Sequence, residues 1–234
     1  YNMALFYYKK AHKVLVSRNE KNTSDYASLM NNLGCVYKKK SNYGAALGYF
    51  YKSKMIRERL GLQDTRGYGT VMFNIGQVYS YKNRYDTALK YYLMDKRILD
   101  RLGRQNTRGY AYLLNDIGLL YRSKRQYRKA LNYYKQAKRI QAYLGLANTN
   151  GYAVLLNNIG SIYKNIKQYR RALKYYMKSK MIRDRLGYQN TSGYAILMYN
   201  IGNLYYRKLY KPCKGAYYLR IVVRIDKKIG HKDY

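Results

Sequence analysis

The chain has 234 residues, of which 47 are Lys or Arg and 11 are Asp or Glu, so its formal net charge is +36 at pH 7. A single Pro and 18 Gly exclude collagen-like and Pro-rich disordered chains, and a hydrophobic content of 47% is enough to bury a core. Two Cys are too few for a disulfide-framed miniprotein, and no apolar run approaches the ~20 residues of a membrane-spanning helix.

The sequence repeats with a step of 42 residues. A Leu-Gly or Ile-Gly pair is followed three residues later by Tyr, and a second block then carries Tyr, Ala, Leu and Phe or Tyr at fixed spacing. The glycine of the first block recurs as Gly34, Gly76, Gly118, Gly160 and Gly202. Counting back from Tyr43 leads to Tyr1, so the chain begins inside a unit. Near Pro212 and Cys213 the register slips by one residue.

Each unit is predicted to form two antiparallel helices. In the second block, apolar residues recur at intervals of three and four, which is the helical period. A glycine ends this helix in a left-handed cap, and a threonine four residues later begins the next helix as its N-cap. The glycines are Gly61, Gly103, Gly145, Gly187 and Gly230, and the threonines are Thr23, Thr65, Thr107, Thr149 and Thr191.

These elements predict an all-α fold: a single solenoid over residues 1–234 in which helix pairs stack because one pair cannot bury both its faces. Gly34 and Ala46 mark the place where two helices approach most closely. The expected divisions are an orphan second helix at 1–22 and units at about 23–64, 65–106, 107–148, 149–190 and 191–234. Both termini fall inside the repeat pattern, which leaves missing repeats, a partner or end-to-end stacking into a filament as interpretations.

The constellation Leu33, Gly34, Tyr37, Ala46 and Phe50 resembles the tetratricopeptide repeat family. The longer step and the missing Pro at the end of the second helix are similar to the repeats of kinesin light chains. The resemblance implies a right-handed solenoid that binds protein without catalysis. It also implies a cytoplasmic location, whereas a fibre subunit would be extracellular.

The resemblance further implies a binding surface. In that family the first helices line the concave face, where an Asn before the apolar-Gly pair often hydrogen-bonds an extended peptide. A carboxamide both donates and accepts, so it can clamp a peptide bond. The alternative is that these side chains bond neighbouring helices and set the solenoid pitch. The matching column is Asn32, Asn74, Asp116, Asn158 and Asn200, and the same surface includes Asn31, Asn115, Asn157, Gln77, Lys38, Arg122 and Lys164. An extended peptide, acidic peptides included, is the expected partner.

The excess of positive charge allows two interpretations. A lysine column along the second helices is formed by Lys54, Lys96, Lys138 and Lys180. The residues four positions later are Glu58, Asp100, Ala142 and Asp184, which predicts intrahelical ion pairs for all but Lys138. Most cations lack such a neighbour, so the surface would attract nucleic acid or another polyanion. Against nucleic acid, the repeat-locked tyrosines indicate packing rather than base stacking. Nucleic acid therefore ranks third as a partner, after a peptide and after self-association.

Several other sites follow from residue types. Asn22 and Asn190 each precede a Thr and a Ser, which matches the N-glycosylation acceptor, although Asn before an N-cap Thr is also ordinary turn chemistry. Cys35 and Cys213 are predicted to be free and buried. The two histidines are too few for a His-based metal cluster, and no catalytic motif is present, so no enzyme activity, metal or cofactor is expected.

Overall fold

The computed structural model describes residues 2–230, which form two compact units, one ending at Gln105 and the other beginning at Asn106. The described part contains helices and no strand. The first unit has α1 Asn2–Ser17, α2 Ser24–Lys39, α3 Tyr43–Arg59, α4 Arg66–Tyr81 and α5 Tyr85–Arg101. The second unit has α6 Arg108–Ser123, α7 Tyr127–Tyr143, a 3₁₀ turn Leu146–Asn148, α8 Asn150–Asn165, α9 Tyr169–Arg185, α10 Ser192–Arg207 and α11 Pro212–Ile229.

Each unit is a stack of helix pairs. In the first unit α2 packs on α3 and α4 on α5, with α1 covering α2 and α3 joining the two pairs. In the second unit the pairs are α6 with α7, α8 with α9 and α10 with α11, joined through α7 on α8 and α9 on α10. The expected all-α solenoid is therefore confirmed.

The predicted helix caps are confirmed. The hydroxyl of Thr23 accepts a hydrogen bond from the backbone N–H of Tyr26, and the four equivalent threonines make the same bond. This satisfies one of the backbone donors that a helix start leaves unpaired. At the other end, Gly61 and its counterparts adopt positive φ angles between 65° and 73°, as the left-handed cap requires.

Close approach within each pair depends on the repeated glycine. A Cβ built on Gly118 would lie 2.6 Å from Cε1 of Tyr134, and one built on Gly34 would lie 2.5 Å from Cε1 of Phe50. Both rings are fully buried. The pair can therefore close to this distance only where the first helix carries no side chain.

A second set of aromatic contacts joins the helices of each pair. The tyrosine three residues after the glycine lies against a tyrosine of the second helix, with ring centroids 5.3–5.8 Å apart and nearly parallel planes. Each such ring has one face covered by its partner, so these tyrosines contribute to packing. The stacked pairs are Tyr37–Tyr49, Tyr79–Tyr91, Tyr121–Tyr133, Tyr163–Tyr175 and Tyr205–Tyr218.

The turn inside each pair has a left-handed residue that is not glycine. Ser41 and Asn83 have φ angles of 58° and 56° in the first unit. Arg125, Lys167 and Tyr210 have φ angles of 57°, 61° and 50° in the second. The backbone there turns sharply enough to bring the second helix back along the first.

The register slip places α11 one residue late. A Cβ on Gly202 would meet Leu219, which lies 17 residues on, whereas Gly34 meets Phe50 after 16. Pro212 opens α11, where its missing N–H leaves no hydrogen bond unmade. Cys213 is exposed and Cys35 is only half-buried, so the prediction of two buried thiols was wrong, although both are free. Allowing for the slip, Cys213 stands at the second-helix position that Arg128 and Arg170 occupy in the preceding pairs, and both of those residues are exposed as well.

One buried position carries a carboxyl group where two other repeats carry a hydroxyl and a third carries Ala137. Ser53 donates to the backbone carbonyl of Ala27 at 2.6 Å, and Ser179 donates to that of Ala153 at 2.7 Å. In the same column Asp95 is 5% exposed, and burial raises its pKa to about 7. Its facing residue is Gly69, where an added Cβ would lie 2.5 Å from Oδ1 of Asp95.

The contact between glycine and ring predicts that a Gly→Ala substitution changes the stability in opposite directions at Gly118 and at Gly109, both in α6. Gly118→Ala should destabilise the fold by about 1–3 kcal/mol, since its methyl group overlaps the buried ring of Tyr134. Gly109→Ala meets no atom within 4 Å and should stabilise by about 0.5–1 kcal/mol, because alanine is the better helix former. Urea denaturation of both variants measures this. Equal effects would contradict the packing assignment.

Burial of Asp95 predicts a pH-dependent stability. The folded pKa of about 7 lies above the unfolded value of about 3.9, so the folded state holds the proton more tightly. Its contribution is complete below pH ~4 and is lost as pH rises towards ~7, by at most about 4 kcal/mol. The advantage of Asp95→Ser over the parent chain should therefore grow between pH 5 and pH 8, in urea denaturation at each pH.

Asp25→Ser is the control for that experiment, because Asp25 is exposed. Its difference from the parent chain should stay constant over the same pH interval. Parallel profiles for Asp95→Ser and the parent chain would exclude a titrating Asp95.

Candidate functional site

The predicted amide column lies on successive first helices. In the first unit Asn32 on α2 is exposed and Asn74 on α4 is buried. In the second unit Asn158 on α8 is buried, whereas Asp116 and Asn200 are half-buried on α6 and α10. A buried amide needs a hydrogen-bond partner, and both Asn74 and Asn158 find one on a neighbouring helix.

The amides bond to one another within each unit. Nδ2 of Asn74 donates to Oδ1 of Asn31 at 2.9 Å. In the second unit Nδ2 of Asn158 donates to Oδ1 of Asn115 at 3.1 Å, and Nδ2 of Asn200 donates to Oδ1 of Asn157 at 3.2 Å. Each bond joins residues 43 positions apart on consecutive first helices. The bonds expected from a pitch-setting role are therefore present, and the peptide clamp stays a prediction.

The first unit adds a cation to this network. Nζ of Lys38 donates to Oδ1 of Asn74 at 2.8 Å and to Oε1 of Gln77 at 2.5 Å. The structure thus brings together three of the residues predicted for the surface. The carbonyl groups of both amides are satisfied by the ammonium group, and their remaining N–H groups are the donors this surface offers.

The second unit places two cations side by side. Burial and the nearby Arg122 guanidinium lower the pKa of Lys164. Asp116 accepts a hydrogen bond from Nδ2 of Asn115 at 3.2 Å. The face of this unit therefore combines a repelling pair of cations with a carboxylate on the same helix as Arg122.

Sequence reasoning missed a buried hydroxyl beside these charges. Burial raises the pKa of Tyr134, while the charges of Arg122 and Asp116 act on it in opposite directions. Its hydroxyl has no hydrogen-bond partner among the described residues. In the next pair the hydroxyl of Tyr176 donates to Oγ of Ser161 at 3.2 Å, but Leu119 stands at the position equivalent to Ser161. The replacement of Ser by Leu119 is the feature of the sequence that could have predicted a Tyr134 hydroxyl without a partner.

The predicted ion pairs on the second helices are confirmed. Nζ of Lys54 lies 2.7 Å from Glu58, that of Lys96 lies 2.8 Å from Asp100, and that of Lys180 lies 2.6 Å from Asp184. Each is partly exposed, so each contributes only a few tenths of a kcal/mol, about 0.3–0.5.

Two of these carboxylates also join neighbouring pairs. The hydroxyl of Tyr68 donates to Glu58 at 2.7 Å, and that of Tyr194 donates to Asp184 at 2.6 Å. Burial alone would raise the pKa of Glu58, but hydrogen bonds from Lys54 and Tyr68 outweigh it, so the pKa is lowered. Burial and the bond to Glu58 raise the pKa of Tyr68. The sequence predicted the lysine partner but not the tyrosine.

The predicted glycosylation positions are accessible, since Asn22 and Asn190 are both exposed. The neighbouring hydroxyls are in use: Thr23 donates to the carbonyl of Glu20, and Thr191 donates to that of Tyr188. Modification of either asparagine stays a prediction.

Family models decide the identity of the repeat. Three models described as tetratricopeptide repeat match residues 25–94, 113–141 and 153–184, together more than half of the chain. The chain is a tetratricopeptide repeat protein. Proteins of this family are generally non-catalytic scaffolds for protein interactions. No curated protein matches this tetratricopeptide repeat chain.

Solved structures share the fold at low identity. The crystal structure of BtubC (BKLC) from P. vanneervenii has a TM-score of 0.79 and 17% identity, over 100% of this chain and 92% of its own. A putative kinesin light chain of Podosopora anserina with nearly identical TPR-like repeats has a TM-score of 0.72 and 11% identity, covering 90% and 99%. The MamA protein has a TM-score of 0.60 and 12% identity, covering 91% and 98%.

Membrane-spanning helices and metal-binding clusters are both absent from the described residues. None of the helices in this part of the chain is long and apolar enough to cross a bilayer. No group of three or more His, Cys, Asp or Glu side chains among residues 2–230 is placed to hold a metal ion.

Replacing Tyr by Phe should change the stability in opposite directions at Tyr134 and at Tyr176. Tyr134→Phe removes a buried group without a partner and should stabilise by about 1 kcal/mol. Tyr176→Phe removes a hydrogen bond to Ser161 and should destabilise by about 0.5–1.5 kcal/mol. Thermal and urea denaturation measure both. A destabilised Tyr134→Phe would mean that its hydroxyl has a partner after all.

Proposed function

We propose that this tetratricopeptide repeat protein is a non-catalytic scaffold that binds an extended segment of a partner protein on its first-helix face. This face is formed by the amide column and the side chains one and two turns after it. An acidic segment fits best, because the cations on the face outnumber its carboxylates. The proposal rests on family membership for the class of function and on the polar side chains of this face for the place.

The observation that carries the proposal is the group formed by Arg122, Lys164 and Tyr134. The two cations are close enough for the charge of Arg122 to help lower the pKa of Lys164, and the hydroxyl of Tyr134 has no hydrogen-bond partner among the described residues. Like charges held close together raise the free energy of the folded chain. A carboxylate from a ligand would relieve the repulsion between Arg122 and Lys164, whereas the Tyr134 hydroxyl is fully buried and out of a ligand's reach.

The amides support the same place. An Asn side chain has two N–H donors and a carbonyl acceptor. The hydrogen bonds from Asn158 to Asn115 and from Asn200 to Asn157 use one donor each. The remaining groups could bind a peptide backbone while the bonds between helices hold the amides in a fixed orientation. The two interpretations of the column are therefore compatible.

Charge removal on this face should weaken peptide binding without unfolding the chain. The test variant is Arg122→Gln with Lys164→Gln, and the probes are peptides selected from a display library against the parent chain. We expect binding to weaken about tenfold or more, which corresponds to about 1.4 kcal/mol. The melting temperature should hold or rise, since like-charge repulsion is relieved. Fluorescence polarisation and thermal denaturation are the measurements.

The matched control is Arg128→Gln with Lys135→Gln, which removes the same charge at exposed positions on α7. It should leave peptide binding within about twofold, apart from long-range attraction. Unchanged binding in the test variant, or an equal loss in the control, would exclude the first-helix face.

A further inference from the structure

A cavity of about 450 Å³ lies between α7, α8 and α9 in the second unit. Residues of the second helices dominate its wall, and no member of the amide column contributes to it. Its lining holds five cations and no Asp or Glu. The cations are Lys138, Arg171, Lys174, Lys178 and Arg185.

The first unit shows what normally occupies this place in the repeat. Counting back 84 residues, or two repeats, the counterpart of Lys138 is Lys54. Lys54 lies 2.7 Å from Glu58, which also accepts the hydroxyl of Tyr68 at 2.7 Å. The counterpart of Arg185 is Arg101, whose Nη1 lies 2.5 Å from Oδ1 of Asp64. Two carboxylates of the chain itself therefore neutralise this site in the first unit.

Both carboxylates are replaced at the cavity. Ala142 stands where the first unit has Glu58, and Asn148 stands where it has Asp64. The three groups that those carboxylates would bind are all retained. They are Lys138, Tyr152 and Arg185, and all three line the cavity.

The retained groups make only weak substitute contacts. Nζ of Lys138 lies 6.0 Å from the centroid of the Tyr175 ring, and Nη2 of Arg185 lies 3.9 Å from Sδ of Met181. Burial raises the pKa of Tyr152, so its hydroxyl keeps its proton and can donate. A cation over a ring and a guanidinium near a thioether are both weaker than a charge-assisted hydrogen bond. The site therefore has the donors for an anion, and no described residue of the chain supplies one.

We propose that this cavity binds a pair of carboxylates from an acidic segment of a partner protein. One carboxylate takes the place of the Glu58 side chain, accepting hydrogen bonds from Lys138 and Tyr152. The second takes the place of the Asp64 side chain beside Arg185. Arg171, Lys174 and Lys178 strengthen the attraction, because no acidic residue of the lining opposes them. This site is separate from the first-helix face and does not depend on it.

The chemistry of the missing groups favours carboxylate over phosphate. Glu58 and Asp64 show that the repeat frame holds two separate carboxylates, each with its own cation. A single phosphate would have to bridge both cations, whereas two acidic side chains of one extended segment can each bind one. The expected ligand is accordingly a stretch of Glu and Asp residues.

The decisive experiment restores the carboxylates. The test variant is Ala142→Glu with Asn148→Asp, and the probe is fluorescein-labelled decaglutamate, measured by fluorescence polarisation at about 150 mM salt. Both positions are exposed, so the substitutions are compatible with folding. We expect affinity to fall about tenfold or more and thermal stability to be kept or raised, since the new Glu can pair with Lys138 as Glu58 does with Lys54.

The matched control adds the same charge away from the cavity. Asn106→Asp with Asn132→Glu uses two exposed positions outside the lining, and affinity should change less than about twofold. Arg185→Gln is a second test variant, which adds no acidic group and should also weaken binding. Arg122→Gln with Lys164→Gln should weaken decaglutamate binding less than Arg185→Gln does, which separates this site from the first-helix face.

Four outcomes would overturn the proposal. They are the absence of decaglutamate binding to the parent chain, unchanged binding in Ala142→Glu with Asn148→Asp, and equal weakening in that variant and its control. The fourth is displacement of the probe by inorganic phosphate at lower concentrations than by unlabelled decaglutamate, which would make the ligand a phosphate.

Discussion

The contact between a glycine of each first helix and a side chain of the second helix is the constraint on which the other interactions depend, and in every described pair but the last that side chain is an aromatic ring. A Cβ on Gly76 or Gly160 would lie 2.6–2.7 Å from the facing tyrosine, so the helices reach their separation only without it. Because this distance recurs at every pair within a unit, residues 42 or 43 positions apart meet in the same way each time. The amide bonds and the tyrosine–carboxylate bonds both rely on that recurrence.

Acidic residues are few, and their positions decide how the cationic surface behaves. Where Glu58 or Asp184 is present, a lysine of its own helix and a tyrosine of the next first helix bind it, and the junction is neutralised from within. Where Ala142 takes that position, the same donors surround a cavity. The net charge of +36 is therefore unevenly distributed. Some cations are paired with a carboxylate, whereas five line the cavity without one.

Repeat spacing was enough to predict the helices, their threonine caps and their glycine ends, because these depend on local backbone chemistry. It also predicted the lysine–carboxylate pairs, whose partners lie on one helix. The partner of each amide could not be predicted, since Asn74 bonds to Asn31 only after two first helices have packed. The missing partner of the Tyr134 hydroxyl likewise depends on a residue of another helix, Leu119.

Comparison of repeats with one another carries information that one repeat alone does not. A position such as 142 has meaning only because Glu58 and Asp184 define what the fold accommodates there. Equivalent positions in the other repeats thus show which residue the fold accommodates at a given place. A repeat that carries a different residue there, as at Ala142, marks a candidate binding site.

The left-handed residues in the turns of the helix pairs have a consequence for the free energy of the repeat. For a residue with a Cβ, this conformation costs about 1–2 kcal/mol relative to a right-handed one. Asn83 can offset part of that cost through its short polar side chain, whereas Arg125 and Lys167 have no such local compensation. The second unit therefore holds strain at successive turns, and packing of the stacked pairs must outweigh it. A single repeat without its neighbours would lose this packing but keep the backbone strain, so it would be unstable alone. The repeats should therefore fold and unfold together.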